Sequence, residues 1–295
     1  MDRTAGFLPW HGDADVPRMS PVTASSRYLA HLRAAWDHAH PDDPLDQADV
    51  VITLPASFDE VARELTIQAA KEAGLRGVYL IEEPQAAFYA WIDRHRGDWS
   101  GLVRAGQLIL VCDIGGGTTD LTLIRVRPAG EAGDQVQFHR VAVGRHLILG
   151  GDNMDLAVAR LAESKIMETG PRELSPSQWD RLMQASRHVK EVMLAGQHPE
   201  AYTINLAAEG AKLLAGAIQV ELSIEEIERT LLDGFFPSVP LAHRVATGQS
   251  GFQEFGLPYA ADPAVTGHLA EFLREHRRSG LEEQDDESAE RPDLV

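Results

Sequence analysis

A chain of 295 residues leaves room for two domains at roughly 150 residues each. Its 27 Lys and Arg face 45 Asp and Glu, a formal net charge of -18, which excludes nucleic acid and anionic membrane as expected partners because both need cationic counter-charge. The lone Cys112 rules out an internal disulfide framework and cysteine-based zinc sites. No apolar run approaches the ~20 residues of a membrane-spanning helix. With no basic head and apolar stretch in residues 1–20 to suggest a signal peptide, the expectation is a soluble, cytoplasmic protein.

Residues 1–27, rich in Pro, Gly, Asp and Ser, read as an arm; Tyr28 to His38 follows as a helix with Leu29, Leu32 and Trp36 on one side. The β-branched run Val50 to Leu54, stopped by Pro55, predicts a buried strand. Ser57-Phe58-Asp59-Glu60 has the spacing of a capping box and opens a helix to Ala73 carried by Val61, Leu65 and Ala69, with Gly74 at its end. Val78 to Ile81 is a second strand, and Pro84 the first position of another helix. Strand, helix, strand, helix is the alternation of an α/β layer with a parallel component.

Leu108 to Cys112 and Leu121 to Val126 are strand-like runs joined through Gly115-Gly116-Gly117, a hairpin with a bare bend. Phe138 to Val143 is a further strand, and Gly150-Gly151 precede a helix with Met154, Val158 and Leu161 on one face. Ser175-Pro176-Ser177-Gln178 is a second capping box, before a helix to about Leu194 on Trp179, Leu182, Met183, Ser186 and Met193. Thr203 to Leu206 and Ile218 to Leu222 read as strands; Ser223 with Glu226 then starts a helix through Ile227, Leu231 and Leu232. From Gly280 the acidic, apolar-poor tail is expected to be disordered, since burial there cannot offset ordering entropy.

The densest chemistry lies in Asp113-Ile114-Gly115-Gly116-Gly117-Thr118-Thr119-Asp120. Glycines let backbone amides turn toward an anion and approach it closely. A carboxylate at each end, Asp113 and Asp120, can hold magnesium directly or through its waters, and Thr118 adds a hydroxyl for a phosphate oxygen or an attacking water. The segment is no P-loop, because no lysine follows the glycines, and no dinucleotide fingerprint, because a strand follows rather than a helix. Three further segments read either way. Glu82-Glu83-Pro84 sits at a strand end, facing a cleft or merely complementing a helix dipole. Gly150-Gly151-Asp152 opens a helix where amides can bind phosphate or acids can cap. Lys190 suits a solvated helix face as well as a ligand contact. The twelve histidines show no metal spacing and read as surface or core residues, and no Gly-x-Ser-x-Gly elbow supports a serine hydrolase.

Four segments in order, VVITLPASFDEVARELTIQAAKEAGL, IEEPQAAFYAW, DIGGGTTDLTLI and LGGDNMDLAVARL, resemble the nucleotide-binding domain of the heat-shock seventy-kilodalton (DnaK-type) chaperones, on a divergent bacterial branch. The resemblance covers about 50–235. It implies an α/β, actin-like ATPase fold with ribonuclease-H-like lobes, here incomplete: mainly lobe II with part of lobe I. It further implies ATP or ADP with Mg2+ as cofactors. Asp113 and Asp120 would lie near magnesium and the attacking water, with Glu83 and Thr118 as their catalytic companions. Gly115, Gly116, Gly117 and Thr118 would bind the β- and γ-phosphates, Gly150 and Gly151 would lie beside phosphates and ribose, and Lys190 would contact adenosine. This chain departs from the family pattern at Glu82, which replaces an asparagine, at Glu191, which replaces an arginine against the base, and at Leu194, which replaces a serine.

Nothing before Val50 matches the family's first phosphate loop, and nothing after Leu222 supplies its late Gly-Gly loop, although Arg291 to Val295 resembles the strand leading into that loop. The expectation is an internal piece of a longer protein: an arm and helix at 1–49, a partial nucleotide-binding domain at 50–279 with a helical and strand subdomain near 150–235, and an acidic tail at 280–295. The implied function is an ATP-binding, magnesium-dependent ATPase module of a chaperone, weak or inactive as this chain stands, with unfolded clients or co-chaperones reached through the full-length protein. The alternative is a non-catalytic, nucleotide-sensing scaffold. A sugar or acetate kinase of the same fold suits the Glu-Glu-Pro turn and the Gly-Gly-Asp segment less well.

Overall fold

The computed structural model describes residues 5–6, 8, 15–97, 99–129, 135–169, 173–207, 218–245 and 260–279, and the chain divides into two compact units, Met1–Leu102 and Val103–Val295. The acidic tail and the segment from Arg291 lie outside the described residues.

The first unit runs α1 (Pro21–Ala39), β1 (Asp49–Leu54), α2 (Glu60–Glu72), β2 (Gly77–Glu82), α3 (Glu83–Arg94) and the single turn α4 (Trp99–Leu102). As the alternation predicts, β1 and β2 pair in parallel, Val51 opposite Tyr79 and Leu54 opposite Glu82. Four expectations need correction. Helix α1 begins at Pro21, not Tyr28, because the Ser20 hydroxyl accepts the Thr23 amide and proline suits the first turn. Its buried residues are Val22 and Ser26, while Leu32 is 60% and Tyr28 75% exposed. Helix α2 is capped by Asp59, whose carboxylate accepts the Ala62 amide, so Ser57 stands outside it. Strand β1 is buried on one side only: Leu54 is 2% exposed, but Val51 is 54% and its cross-strand partner Tyr79 58%. Pro84 takes the second helical position of α3, after Glu83. Gly74, at φ +82°, ends α2 in the left-handed backbone that glycine adopts without strain.

The second unit opens on an antiparallel sheet of β3 (Leu108–Ile114), β4 (Thr119–Ala129) and β5 (Gln135–Val143), in that spatial order. Helices α5 (Gly151–Thr169) and α6 (Pro176–Met193) follow, then the antiparallel pair β6 (Ala201–Leu206) and β7 (Ile218–Ser223), α7 (Ile224–Phe235) and α8 (Val265–His276). Of the two expected capping boxes, that of Ser175 with Gln178 forms at α6; a further box, Ser223 with Glu226, opens α7 where the sequence places a helix start. Each satisfies two backbone donors that a helix start otherwise leaves orphaned. One core joins Val158, Ala162 and Ile166 of α5, Leu182, Val189 and Met193 of α6, Ile204 and Leu222 of the strand pair, and Ile227, Leu231 and Phe235 of α7. The α7 stripe therefore runs through Phe235, and Leu232, expected on it, is 42% exposed. A second cluster sets Phe272 of α8 against Leu108, Leu110, Leu121 and Leu123 of the hairpin. Helix α8 adds an element the sequence reading did not include.

Candidate functional site

The register of β3 and β4 puts Asp113 opposite Asp120 and Ile114 opposite Thr119, leaving residues 115–118 as the bend. Directly opposed residues of an antiparallel pair project to one face about 5 Å apart, so both carboxylates flank the bend on the same side. The Gly115 amide closes it by donating to the Thr118 carbonyl at 2.8 Å.

The fold itself makes no demand for three glycines here. Among the described residues only Gly74 and Gly106 have positive φ, so the backbone of Gly115, Gly116 and Gly117 suits any residue. A Cβ on Gly115 would meet nothing nearer than the Thr118 carbonyl oxygen at 3.5 Å, and one on Gly116 or Gly117 only the Asp152 carboxylate at 3.8 Å. The bend is bare without any internal steric reason. A loop kept bare in this way admits a group from outside close to its backbone.

Gly150 is different. A Cβ there would stand 2.6 Å from the carbonyl oxygens of both Gly115 and Gly116. The start of α5 presses against the bend, and two hydrogen bonds lock them together: Gly151 N–H to the Gly115 carbonyl at 3.0 Å and Asp152 N–H to the Gly116 carbonyl at 2.7 Å. The Thr119 hydroxyl donates to the Leu149 carbonyl at 2.7 Å from a fully buried position. Gly150 N–H is held by the Asn153 side chain at 2.9 Å. The first amides of α5, a candidate anion site in the sequence, are thus spent on the neighbouring loop. Gly116, Gly117 and Thr118 carry the amides that this interlock leaves for a ligand.

The charged groups around the bend are mostly committed. Lys190, on α6, is no solvated face residue: its ammonium lies 2.6 Å from Asp155 and donates to the Gly151 carbonyl at 3.0 Å, with the two side chains 17% and 8% exposed. It braces the start of α5. Asp120, 5% exposed, is held by His146, whose Nδ1 lies 3.0 and 3.2 Å from the two carboxylate oxygens. Asp113 is half-buried, and Asp152 is exposed at the mouth of the bend. Beside Asp113, burial first and the aspartate charge second push the Cys112 thiol above its ordinary value. Glu191 pairs with Arg187 at 3.2 Å on the surface, and Leu194 is 40% exposed. The sequence singles out no role for His146 and offers Asp152 and Asp155 only as acids at a helix start. Only tertiary structure brings His146 to Asp120 and Asp155 to Lys190, and no local spacing announces either pair.

In the first unit, Glu83 is the half-buried first residue of α3, at the end of β2. Its neighbour Glu82 accepts from Arg63 of α2 at 3.0 Å. Among the described residues no cluster of three or more His, Cys, Asp or Glu side chains is placed to hold a metal. No helix there is long and apolar enough to cross a membrane.

The family model described as Hsp70 protein matches residues 11–240. The chain belongs to the Hsp70 family. Its fold is accordingly of the actin-like ATPase type, in agreement with the mixed α/β architecture of the two units. Similar Hsp70-family proteins include the chaperone protein HscA homolog of Acidovorax ebreus, 33% identical over 223 residues, which are 72% of this chain and 32% of that protein. The HscA homolog of Methylococcus capsulatus is 32% identical across 74% of this chain and 32% of its own length. That of Bordetella pertussis is 36% identical over 141 residues, 48% of this chain and 20% of its own. The chain spans about a third of the length of the first two of these relatives.

Proposed function

We propose that this Hsp70-family chain is an ATP-binding, magnesium-dependent ATPase module of a chaperone-like protein, working in the cytoplasm. Unfolded clients or co-chaperones would be engaged through the full-length protein. The observation that carries the reading is the bare bend: three glycines that neither backbone conformation nor packing requires, flanked by carboxylates on one face.

The amides of Gly116, Gly117 and Thr118 would receive β- and γ-phosphate oxygens, with Gly115 held in place by its bond to Thr118. The Thr118 hydroxyl and the Asp113 carboxylate would orient the attacking water, and Asp113 and Asp120 would accept hydrogen bonds from the waters of a magnesium ion. Bound magnesium draws negative charge off the phosphate oxygens. Gly150 and Gly151 keep the bend in register, while Lys190 stiffens the helix start that an adenosine would meet. Glu83, by its match to the family's Glu-Pro turn, would be a further catalytic acid.

Weak nucleotide binding is the expectation for this chain, supported by the partners that Asp120 and Lys190 already have and by the occupied first amides of α5. Calorimetry with Mg·ADP and Mg·ATP tests the reading. The parent should bind saturably with affinity weaker than micromolar, and Gly116→Ala should abolish binding without lowering the melting temperature. A parent that binds no nucleotide at millimolar concentration, or a Gly116→Ala protein that binds as well as the parent, would refute it. The hold of His146 on Asp120 favours a second reading, a nucleotide-sensing scaffold that binds without turnover. Mg·ATP bound without release of phosphate would select it.

A further inference from the structure

Residues 144–147 form a strap between β5 and the Gly150-Gly151 turn, stitched to β4 on both sides of Asp120. Gly144 N–H donates to the Leu121 carbonyl at 2.8 Å, while Leu147 and Thr119 exchange backbone hydrogen bonds at 3.0 and 3.2 Å. A Cβ on Gly144 would come within 3.2 Å of the Leu121 Cβ and 3.3 Å of its carbonyl oxygen, so the strap lies closer to the strand than a side chain ordinarily sits. Between these two anchors His146 meets Asp120, its Nδ1 within hydrogen-bond distance of both carboxylate oxygens. An ionised carboxylate can only accept, so Nδ1 carries the proton and the imidazole is the donor. Asp120 is 5% exposed, and water is a poor substitute for this partner.

The geometry points to His146 as a positioning residue that holds Asp120 away from metal and thereby sets the affinity of the loop for a magnesium–nucleotide complex. This rests on the nucleotide reading of the same loop. Engaging Asp120 with the waters of the metal requires the carboxylate to leave the imidazole, so part of the binding free energy goes into that exchange. Asp113, on the same face of the hairpin, lies outside the strap's reach and is the carboxylate open to first contact.

The test is calorimetric titration of Mg·ADP into the full chain and three variants. His146→Ala should bind on the order of tenfold tighter, the size of one charged hydrogen bond that no longer has to be broken. His146→Gln, whose side-chain amide can still donate to Asp120, should stay within about twofold of the parent on the same grounds. Adding Asp120→Asn to His146→Ala should erase the gain, because the released carboxylate is what produces it. A gain that survives in the double variant, or affinities that do not separate Ala from Gln, would overturn the assignment while leaving the nucleotide reading intact. Nuclear magnetic resonance of the parent gives an answer even if His146→Ala does not fold. The His146 ring should be in the Nδ1-protonated tautomer without nucleotide, and its signals should move at saturating Mg·ADP. A ring in the other tautomer, or one unaffected by bound Mg·ADP, would also overturn it. Absence of Mg·ADP binding in every protein would remove the nucleotide reading, and this inference with it.

Discussion

Replacing Gly150 by alanine separates the two kinds of glycine around the bend. The new methyl group would stand 2.6 Å from two backbone carbonyl oxygens, which belong to a closed turn and cannot swing aside like a side chain. Either the bend or the start of α5 must shift, and the hydrogen bonds from Gly151 and Asp152 to the bend lengthen with it. Overpacking of about 1–3 kcal/mol and two bonds each weakened by about 0.5 kcal/mol give an expected loss of roughly 2–4 kcal/mol. For a unit of this size that lowers the melting temperature by roughly 5–15 °C. Gly116→Ala and Gly117→Ala, with ordinary contacts and no positive φ, should melt within about 2 °C of the parent, or slightly higher because alanine restricts the unfolded chain. Differential scanning calorimetry reads both. A Gly150→Ala protein that melts with the parent, or Gly116→Ala as damaging as Gly150→Ala, would refute the reasoning about which glycine the fold needs.

Further outcomes follow from the neighbouring contacts. Lys190→Met should destabilise the second unit by about 3–5 kcal/mol in urea unfolding, since Asp155 would keep a buried charge without its partner; a loss under about 1 kcal/mol would show the pair to be dispensable. Ser175→Ala removes the hydroxyl half of the α6 capping box and should cost about 1 kcal/mol in the same assay. The raised Cys112 thiol lowers the thiolate fraction at any given pH, so alkylation at mildly alkaline pH should run slower in the folded protein than in urea. Because the folded state then holds a proton that the unfolded state gives up, Cys112 should contribute stability that declines as pH rises through the ordinary thiol range. Equal alkylation rates in the two states would contradict this.

Local signals were legible where one short stretch carries the whole interaction. The Ser175–Gln178 and Ser223–Glu226 boxes each span four residues, and the glycine bend lies between two unmistakable apolar runs. The first helix extends further than its periodicity predicts because Ser20 and Pro21, a good cap and first turn, sit among other prolines and serines that break the pattern. Asp59 rather than Ser57 caps α2 because its carboxylate accepts the Ala62 amide, which starts the helix two residues later than a Ser57 cap would. Helix α8 gave little warning: Ala264 offers no side-chain cap, and Gly267 lies inside the helix. At the site, the two flanking acids are visible in sequence, but the partner of Asp120 is not. The His146–Asp120 pair spans 26 residues and depends on the strap that Gly144 lets close.

Phe272 of α8 seals the back of the glycine hairpin against Leu108, Leu110, Leu121 and Leu123. During synthesis the two strands can pair as soon as they leave the ribosome, yet their apolar side stays wet until roughly another 150 residues have emerged, a delay of about 10–30 s at ordinary elongation rates. For that interval the hairpin is a sticky, half-finished ribbon, exposed to aggregation or to capture by other chaperones. Slowing translation ahead of Val265 should therefore lower the soluble yield far more than slowing it afterwards.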